Sequence, residues 1–311
     1  MKDRFAQYHP LVNFLYFTLV LVFSMVLRHP LAQGVSLLCA CIYAVQAEGQ
    51  RAVLFCLKWC LPVFLLTALF NPAFSHEGVT ILLYLPTGNP LTLESILYGV
   101  SAGVLLVTVM VWFMNSSRVI TSDKFIYLFG RVIPALSLVL SMTLRFIPKF
   151  KSQLAAVVEA QRSIGRDISQ GSLLRRMKLA VSVLSIMITW ALENAMDTAD
   201  SMKGRGYGLP GRTAFSIYRL DDRDKSALAF LLLCAFCLVM GTAASAFSFR
   251  YYPSIRAGAR TPLALSFQLV YAALCAMPIL LNAFEERKWK SIHSKMSPSP
   301  TRRGKDRLCV T

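Results

Sequence analysis

Three carboxylates on one predicted helix are the first candidates for chemistry in this sequence. Glu193, Asp197 and Asp200 are spaced so that they share one face of a helix. Such a face could bind a cation, or supply acid–base groups to a membrane enzyme. A polar face that is solvated or faces a partner has the same pattern, and this is the interpretation that we favour.

The cysteines raise the question of a redox or metal site. Cys234 and Cys237 form a Cys-x-x-Cys pair, but no second pair accompanies them. Seven of the eight cysteines lie inside apolar runs, where free cysteine packs as a small hydrophobic residue. The four histidines are scattered without metal-ligand spacing. Phosphate-loop, zinc-protease and nucleophile-elbow motifs are absent from the sequence. We therefore expect no metal, no other cofactor and no catalytic residue.

A single arginine between two glycines ends a predicted helix. Arg205 lies between Gly204 and Gly206, in the run Lys-Gly-Arg-Gly-Tyr-Gly. Glycine ends helices readily because it tolerates positive φ, so the run could be only a helix stop followed by a basic loop. It could also present a planar guanidinium at a helix end to an acidic pocket of a partner.

Long apolar runs dominate the elements around these residues. Hydrophobic residues make up 55% of the 311 positions, yet the formal net charge is +17. Six runs are long enough, or nearly so, to span a bilayer; they cover residues 11–27, 31–47, 52–70, 93–114, 226–247 and 262–284. Lys58 interrupts the third run near its start, from where lysine can reach the interface. The sequence predicts an all-α polytopic membrane protein with about six transmembrane helices. Because charge is interleaved with apolar runs, nucleic-acid binding is disfavoured.

Charge and proline divide the chain into four predicted segments. They are N-terminal transmembrane helices (1–115), a basic region of cytoplasmic helices (116–225), C-terminal transmembrane helices (226–285) and a disordered basic tail (286–311). Asn71-Pro72 is expected to break the third transmembrane helix.

The basic region is predicted to contain three long helices. The first covers 135–146, and the stretch 145–148, which contains Pro148, is expected to end it. The second covers 150–168, and the third covers 172–202. The apolar middle of the third has only about 14 residues, which is short for a membrane span.

The distribution of lysine and arginine predicts the orientation. Residues 71–92 contain neither, which is typical of an external loop, whereas the region 116–225 and the tail are basic. With six spans both termini lie on one side, and the positive-inside rule places them in the cytoplasm, with the chain in the plasma membrane. Three arginines in the loop 250–261 do not fit this arrangement. No cleavable signal peptide is evident.

Four stretches, in order along the chain, resemble the transmembrane T component of energy-coupling factor (ECF) transporters, which is related to the membrane subunit of cobalt uptake systems. The stretches are residues 71–99, 143–148, 159–162 and 195–213, and the likeness covers about residues 5–250. Positions to which the resemblance gives a coupling or structural role are Asn71, Pro72, Glu94, Arg145, Pro148, Gln161 and Arg212.

The family signature, Ala-Arg-Gly, occurs twice, each time at the end of a coupling helix. The second copy keeps the arginine, as Arg205, with glycine in place of alanine. In the first copy Ile164 replaces the arginine, and the flanking Arg162 and Arg166 do not occupy the matching position. The resemblance therefore implies two unequal ATPase-docking sites: Gly204, Arg205 and Gly206, and Ser163, Ile164 and Gly165 with Arg162 and Arg166.

The resemblance also implies partners. Two ABC-type ATPase subunits would bind the coupling helices, and the membrane part would hold an S component that binds a vitamin or metal ion for uptake. Arg205 would pair with acidic side chains in a groove of one ATPase, and the chain itself would be no enzyme. Several apolar residues would contact the S component or pack between helices: Val157, Val158, Val181, Leu184, Met187 and Met196.

Two other functions are kept as alternatives. A stand-alone secondary transporter needs a midplane site, inverted repeats or broken helices, and we find no repeat in the sequence. A membrane enzyme would use the carboxylates of residues 193–200.

Overall fold

The computed structural model describes residues 4–75, 78–84, 90–130, 133–167, 172–209, 218–257 and 262–296. The helices and strands are α1 (Pro10–Val26), α2 (Pro30–Glu48), α3 (Gln50–Phe55), α4 (Leu61–Phe74), β1 (Ile81–Tyr84), β2 (Pro90–Thr92), α5 (Leu93–Val119), α6 (Ser122–Gly130), α7 (Pro134–Ser163), α8 (Leu173–Gly204), α9 (Asp222–Ala243), β3 (Phe249–Arg250), β4 (Arg256–Ala257) and α10 (Pro262–Met296). A 3-10 helix (Phe5–Gln7) precedes α1, and a π-helical segment (Cys56–Cys60) joins α3 to α4. Contacts divide the chain into unit 1 (residues 1–121 and 219–311) and unit 2 (residues 122–218).

Long apolar helices confirm the predicted class, an all-α polytopic membrane protein. Six described stretches are long and apolar enough to span a membrane: Pro30–Glu48, Gln50–Phe74, Leu93–Val119, Leu173–Gly204, Asp222–Ala243 and Pro262–Trp289. Five of them match predicted spans, and α1 has only 17 residues. The sixth is α8, which meets these criteria of length and composition although the apolar middle of the predicted helix 172–202 is short for a span.

Six helical stretches of unit 1 alternate in direction between two faces: α1, α2, α3 with α4, α5, α9 and α10. We call the face that holds the chain's first described residues the N-terminal face. There the N–H groups of Arg4 and Phe5 both donate to Asn282 Oδ1 at 3.1 Å, and Glu48 forms an ion pair with Arg118 at 3.0 Å. The start of the first stretch and the end of the last therefore lie on the same side.

The N-terminal segment is fixed by the beginning of α9 and the end of α10. Asp224 Oδ1 accepts the N–H of His9, and its Oδ2 accepts the N–H of Asp221, both at 3.2 Å. The Arg223 guanidinium contacts Glu285 Oε1 at 3.4 Å. The two bonds to Asp224 satisfy backbone donors at the starts of α1 and α9 that would otherwise lack partners.

His9 makes this attachment sensitive to pH. Its Nδ1 accepts the N–H of Leu11 and caps α1, which requires an unprotonated Nδ1. Burial lowers the pKa of His9, and the nearby Asp224 opposes this shift only in part. Because the unfolded chain binds the proton more readily, we expect stability to be complete above about pH 6.5 and to fall as pH drops towards the lower folded pKa. Thermal unfolding between pH 5 and 8 checks this.

The control for this prediction is His9→Asn, since asparagine caps a helix without titrating in this range. The variant should lose the part of the pH dependence that His9 causes. An unchanged profile in His9→Asn would show that another group is responsible.

Aromatic residues join the segments at the opposite face. The ring of His29 lies 5.7 Å from that of Phe249, and the ring of Tyr98 lies 5.6 Å from that of Tyr251. The antiparallel pairs β1–β2 and β3–β4 belong to this side of unit 1.

The α4–α5 contact lies at Asn71-Pro72, which does not end the helix. The predicted break was wrong, because α4 continues through Pro72 to Phe74. A proline removes one N–H from the helix, so the carbonyl of Ala68 loses its usual donor. This carbonyl faces Gly99 of α5 so closely that a Cβ on Gly99 would lie 3.1 Å from the oxygen. Glycine thus lets α5 pack directly on the proline turn.

Proline is also tolerated inside α7, the first long helix of unit 2. The predicted end at residues 145–148 was wrong, because α7 runs unbroken from Pro134 to Ser163 and includes Pro148. One missing N–H does not end a helix whose sequence favours helix on both sides. The predicted helices 135–146 and 150–168 are therefore one helix, which ends before Gly165.

Candidate functional site

The two long helices of unit 2 contact each other near their midpoints. The rings of Phe150 and Trp190 meet edge to face with centroids 5.3 Å apart. Lys149 Nζ donates to Asn194 Oδ1 at 2.7 Å and lies 5.6 Å from the Trp190 ring centroid. A charge that is both hydrogen-bonded and placed over an aromatic face fixes this contact more strongly than apolar packing alone.

A small cavity at this contact brings two of the resembling stretches together. It has a volume of about 260 Å³ and is lined by Thr143, Phe146, Phe150, Ala191, Asn194 and Ala195. Arg145 and Pro148 themselves are exposed. Sequence reasoning missed Lys149, Trp190 and Asn194, although the four-residue spacing of Trp190 and Asn194 on one helix face was a usable signal.

Both helices end in the same backbone motif beyond this contact. At the end of α7, the N–H of Arg166 donates to the Gln161 carbonyl and the N–H of Gly165 to the Arg162 carbonyl, both at 3.0 Å. At the end of α8, the matching bonds run from Tyr207 to Met202 at 3.0 Å and from Gly206 to Lys203 at 2.9 Å. This pair of bonds is the Schellman motif, in which a residue with positive φ turns the chain away from the helix.

Backbone angles make Ile164 the structural counterpart of Arg205. Ile164 has φ −90° and ψ 8°, and Arg205 has φ −87° and ψ 10°. The glycines that follow, Gly165 and Gly206, have φ 79° and 75°. We call residues 163–165 the first tip and residues 204–206 the second tip. The tips share one backbone shape and differ in the side chain that they present.

The side chains at the tips point outward. Ile164 is 71% exposed, and Arg205 is exposed and forms no ion pair within the described part of the chain. Arg162 forms an ion pair with Asp167 at 3.5 Å, so its charge is partly neutralised. Arg166 is exposed, but it occupies the position that matches Tyr207 and not Arg205. An apolar side chain and a cation therefore take equivalent places at the two tips.

The glycines at the second tip have unequal roles. Gly206 needs its positive φ, whereas Gly204 is helical and a Cβ there would meet nothing within 4 Å. We expect Gly206→Ala to weaken the tip by about 1 kcal/mol and Gly204→Ala to be neutral or slightly stabilising. Hydrogen exchange of the Gly206 and Tyr207 amides measures the effect. Equal exchange in the two variants would contradict the assignment.

The other candidate residues are distributed over both units. Ser163 Oγ donates to the Ala160 carbonyl at 2.8 Å, and Gln161 contributes its carbonyl to the first tip. Asn71, Pro72 and Glu94 belong to unit 1. Arg212 lies outside the described residues.

Glu94 is a structural carboxylate at the start of α5. It is buried, and it accepts the Thr80 hydroxyl at 2.8 Å and the Thr80 N–H at 3.2 Å. Gly78, with φ 145°, passes so close that a Cβ would lie 2.7 Å from Glu94 Oε2. Glu94 therefore holds residues 78–80 against the first turn of α5.

The apolar face of α8 is mostly open. Val181, Leu184 and Met196 are exposed, while Met187 is only 5% exposed. Met187 shares a helix face with Trp190, which packs on α7, so for Met187 the burial favours packing between helices, one of the two predicted alternatives. The carboxylates Glu193, Asp197 and Asp200 are exposed, and no metal-binding group of three is found among the described residues.

Known sequences match the part of the chain that contains both tips. A family described as cobalt transport protein (CbiQ) matches residues 6–216. The protein named energy-coupling factor transporter transmembrane protein EcfT 1 from Listeria monocytogenes is 28% identical over 216 residues, covering 64% of this chain and 79% of that protein.

Shorter matches have higher identity. The EcfT proteins of Lactobacillus helveticus and Bacillus selenitireducens are 35% and 36% identical over 109 and 101 residues, or 34% and 32% of this chain. The chain spans about two fifths of the length of these relatives, 39% and 38%. With most of its length matched and its long apolar helices in place, this chain belongs to the CbiQ family, as a transmembrane T component of the energy-coupling factor type.

Proposed function

We propose that this chain is the non-catalytic coupling subunit of an ATP-driven importer. The first and second tips bind two ABC-type ATPase subunits, and unit 1 lies in the plasma membrane with both termini in the cytoplasm. An S component in the membrane binds the vitamin or metal ion that is taken up. The observation that carries the proposal is the pair of tips with one backbone geometry at the ends of two helices that contact each other.

The distances along the helices suit a coupling role. Ile164 follows Phe150 by 14 residues, and Arg205 follows Trp190 by 15. At 1.5 Å per residue, each tip lies about 20 Å beyond the contact. A displacement at either tip therefore acts on the contact over a similar length, which supports transmission by α7 and α8 as a pair.

The exposed apolar face of α8 supports the proposal of a second kind of partner, the S component. Leu184 and Met196 are exposed, and methionine adapts to differently shaped surfaces. A membrane partner that covers this face would remove it from lipid or water.

Site-specific crosslinking tests the ATPase contacts. A photoreactive residue at position 166 or 207 occupies the same place in the two tips, and one at position 173 lies at the far end of α8. We expect the first two to crosslink to polypeptides that bind ATP, and the third not to. Uptake by this chain alone in vesicles without ATP would contradict the proposal and support a stand-alone transporter.

A further inference from the structure

The transmembrane stretch Gln50–Phe74 differs from the rest of unit 1 in how little of it is buried. Only 6% of its span lies inside the structure, against 22–39% for the other spans of unit 1 that are long enough to cross a membrane. It packs on α5 through Gly99 and Gly103 and leaves most of its surface open. This surface is therefore available to lipid.

Two cations lie on this open stretch near the N-terminal face. Arg51 and Lys58 are both exposed and are separated by seven residues, or about 10 Å along a helix. Lys58 belongs to the π-helical segment, a form of helix that is often found at functional sites. Side chains on a helix lean towards its N-terminus, so both cations lean towards the N-terminal face.

Three other cations described at this face have partners. Arg118 binds Glu48, Arg223 binds Glu285, and Arg4 lies 5.1 Å from the Trp289 ring centroid. Within the described part of the chain, neither Arg51 nor Lys58 forms an ion pair. Glu48, the nearest acidic residue in the sequence, is occupied by Arg118.

A tryptophan beside Lys58 places this region at the level of lipid headgroups. Trp59 is 56% exposed, and the Lys58 ammonium lies 5.8 Å from its ring centroid. Exposed tryptophan favours the membrane interface, where its ring is apolar and its N–H is solvated. Unpaired cations at this depth favour an anionic group over water or hydrocarbon.

We propose that Arg51 and Lys58 bind the phosphate of an anionic phospholipid from the leaflet at the N-terminal face, with Trp59 against the upper acyl chain. The guanidinium of Arg51 supplies a planar fork for two phosphate oxygens, and Lys58 adds a point charge from below. The site uses none of the residues that are proposed above to contact the ATPase subunits or the S component.

Lipid retention by the purified full-length chain tests the site. The protein is reconstituted in nanodiscs of phosphatidylcholine with one quarter phosphatidylglycerol, and retained lipids are counted by native mass spectrometry. We expect phosphatidylglycerol to be enriched on the wild type and reduced at least fivefold on Arg51→Gln/Lys58→Gln. Lys58→Arg keeps the charge and should retain the lipid.

The matched control is Arg28→Gln, which removes one exposed cation at the opposite face. It should retain as much phosphatidylglycerol as the wild type. Equal retention by the double glutamine variant would overturn the proposal, as would an equal loss in Arg28→Gln. If the double variant does not fold, loss of lipid from Lys58→Gln alone, with Lys58→Arg unchanged, supports the site, and no difference between these two contradicts it.

Discussion

Replacing Arg205 with glutamate is expected to remove one of the two ATPase contacts. The variant places a carboxylate where the proposed groove supplies acidic side chains, and the second tip offers no other exposed cation at the same position. Disrupting a desolvated arginine–carboxylate pair costs about 2–5 kcal/mol, which corresponds to a loss of affinity of roughly 30-fold to 5,000-fold. Titration of the ATPase subunits onto the membrane-reconstituted chain measures this change.

Lys203→Gln is the control for Arg205→Glu. Lys203 lies two residues away and pairs with Asp200 at 3.7 Å, so its replacement removes a charge without touching the tip. It should change the affinity less than threefold. Because Arg162 and Arg166 flank the first tip, the stringent variant combines Arg205→Glu with Arg166→Glu. Unchanged assembly and uptake in this double variant would refute ATPase docking through the tips.

The second large effect is expected from Gly103→Ala in α5. A Cβ at this position would lie 2.9 Å from Phe64 Cδ2 and 3.2 Å from the Phe64 carbonyl oxygen. The ring can move, but the carbonyl belongs to the backbone of α4, so the two helices must separate. Overpacking of this kind costs about 1–3 kcal/mol. Thermal unfolding in detergent should show a lower midpoint, and Gly103→Leu should lower it further.

Gly34→Ala provides the comparison within the same unit. A Cβ on Gly34 of α2 would meet nothing within 4 Å, so alanine should be neutral or raise stability by up to about 1 kcal/mol through helix propensity. The same melting point for Gly34→Ala and Gly103→Ala would show that close packing of α5 on α4 does not limit stability.

The sequence predicted the features that depend on local backbone chemistry. Gly206 marks the end of α8, because a glycine after a helical pattern supplies the positive φ of a helix cap. The alignment of Ile164 with Arg205 came from a short motif, and the matching angles of the two residues support it. The apolar runs gave the fold class, because a bilayer requires long apolar helices.

Features that depend on distant neighbours were not predictable. Pro72 and Pro148 read as helix ends, but a proline inside a helix costs one hydrogen bond, and its surroundings decide whether the helix continues. The residue that packs closely on the turn of Pro72 is Gly99, which belongs to another helix. The contact of Lys149 with Asn194 likewise needs two helix faces to meet, and sequence periodicity defines each face separately.

The attachment of the first residues to the last helix sets an order for biosynthesis. Arg4 leaves the ribosome first among these partners, and Asn282 follows 278 residues later. At a synthesis rate of roughly 5–20 residues per second, Asn282 is added about 15–55 s after Arg4. Until then the N–H groups of Arg4 and Phe5 lack this acceptor, and a chain truncated before α10 never gains it. The attachment of Arg4 and Phe5 to Asn282 can therefore form only after α10 has been synthesised.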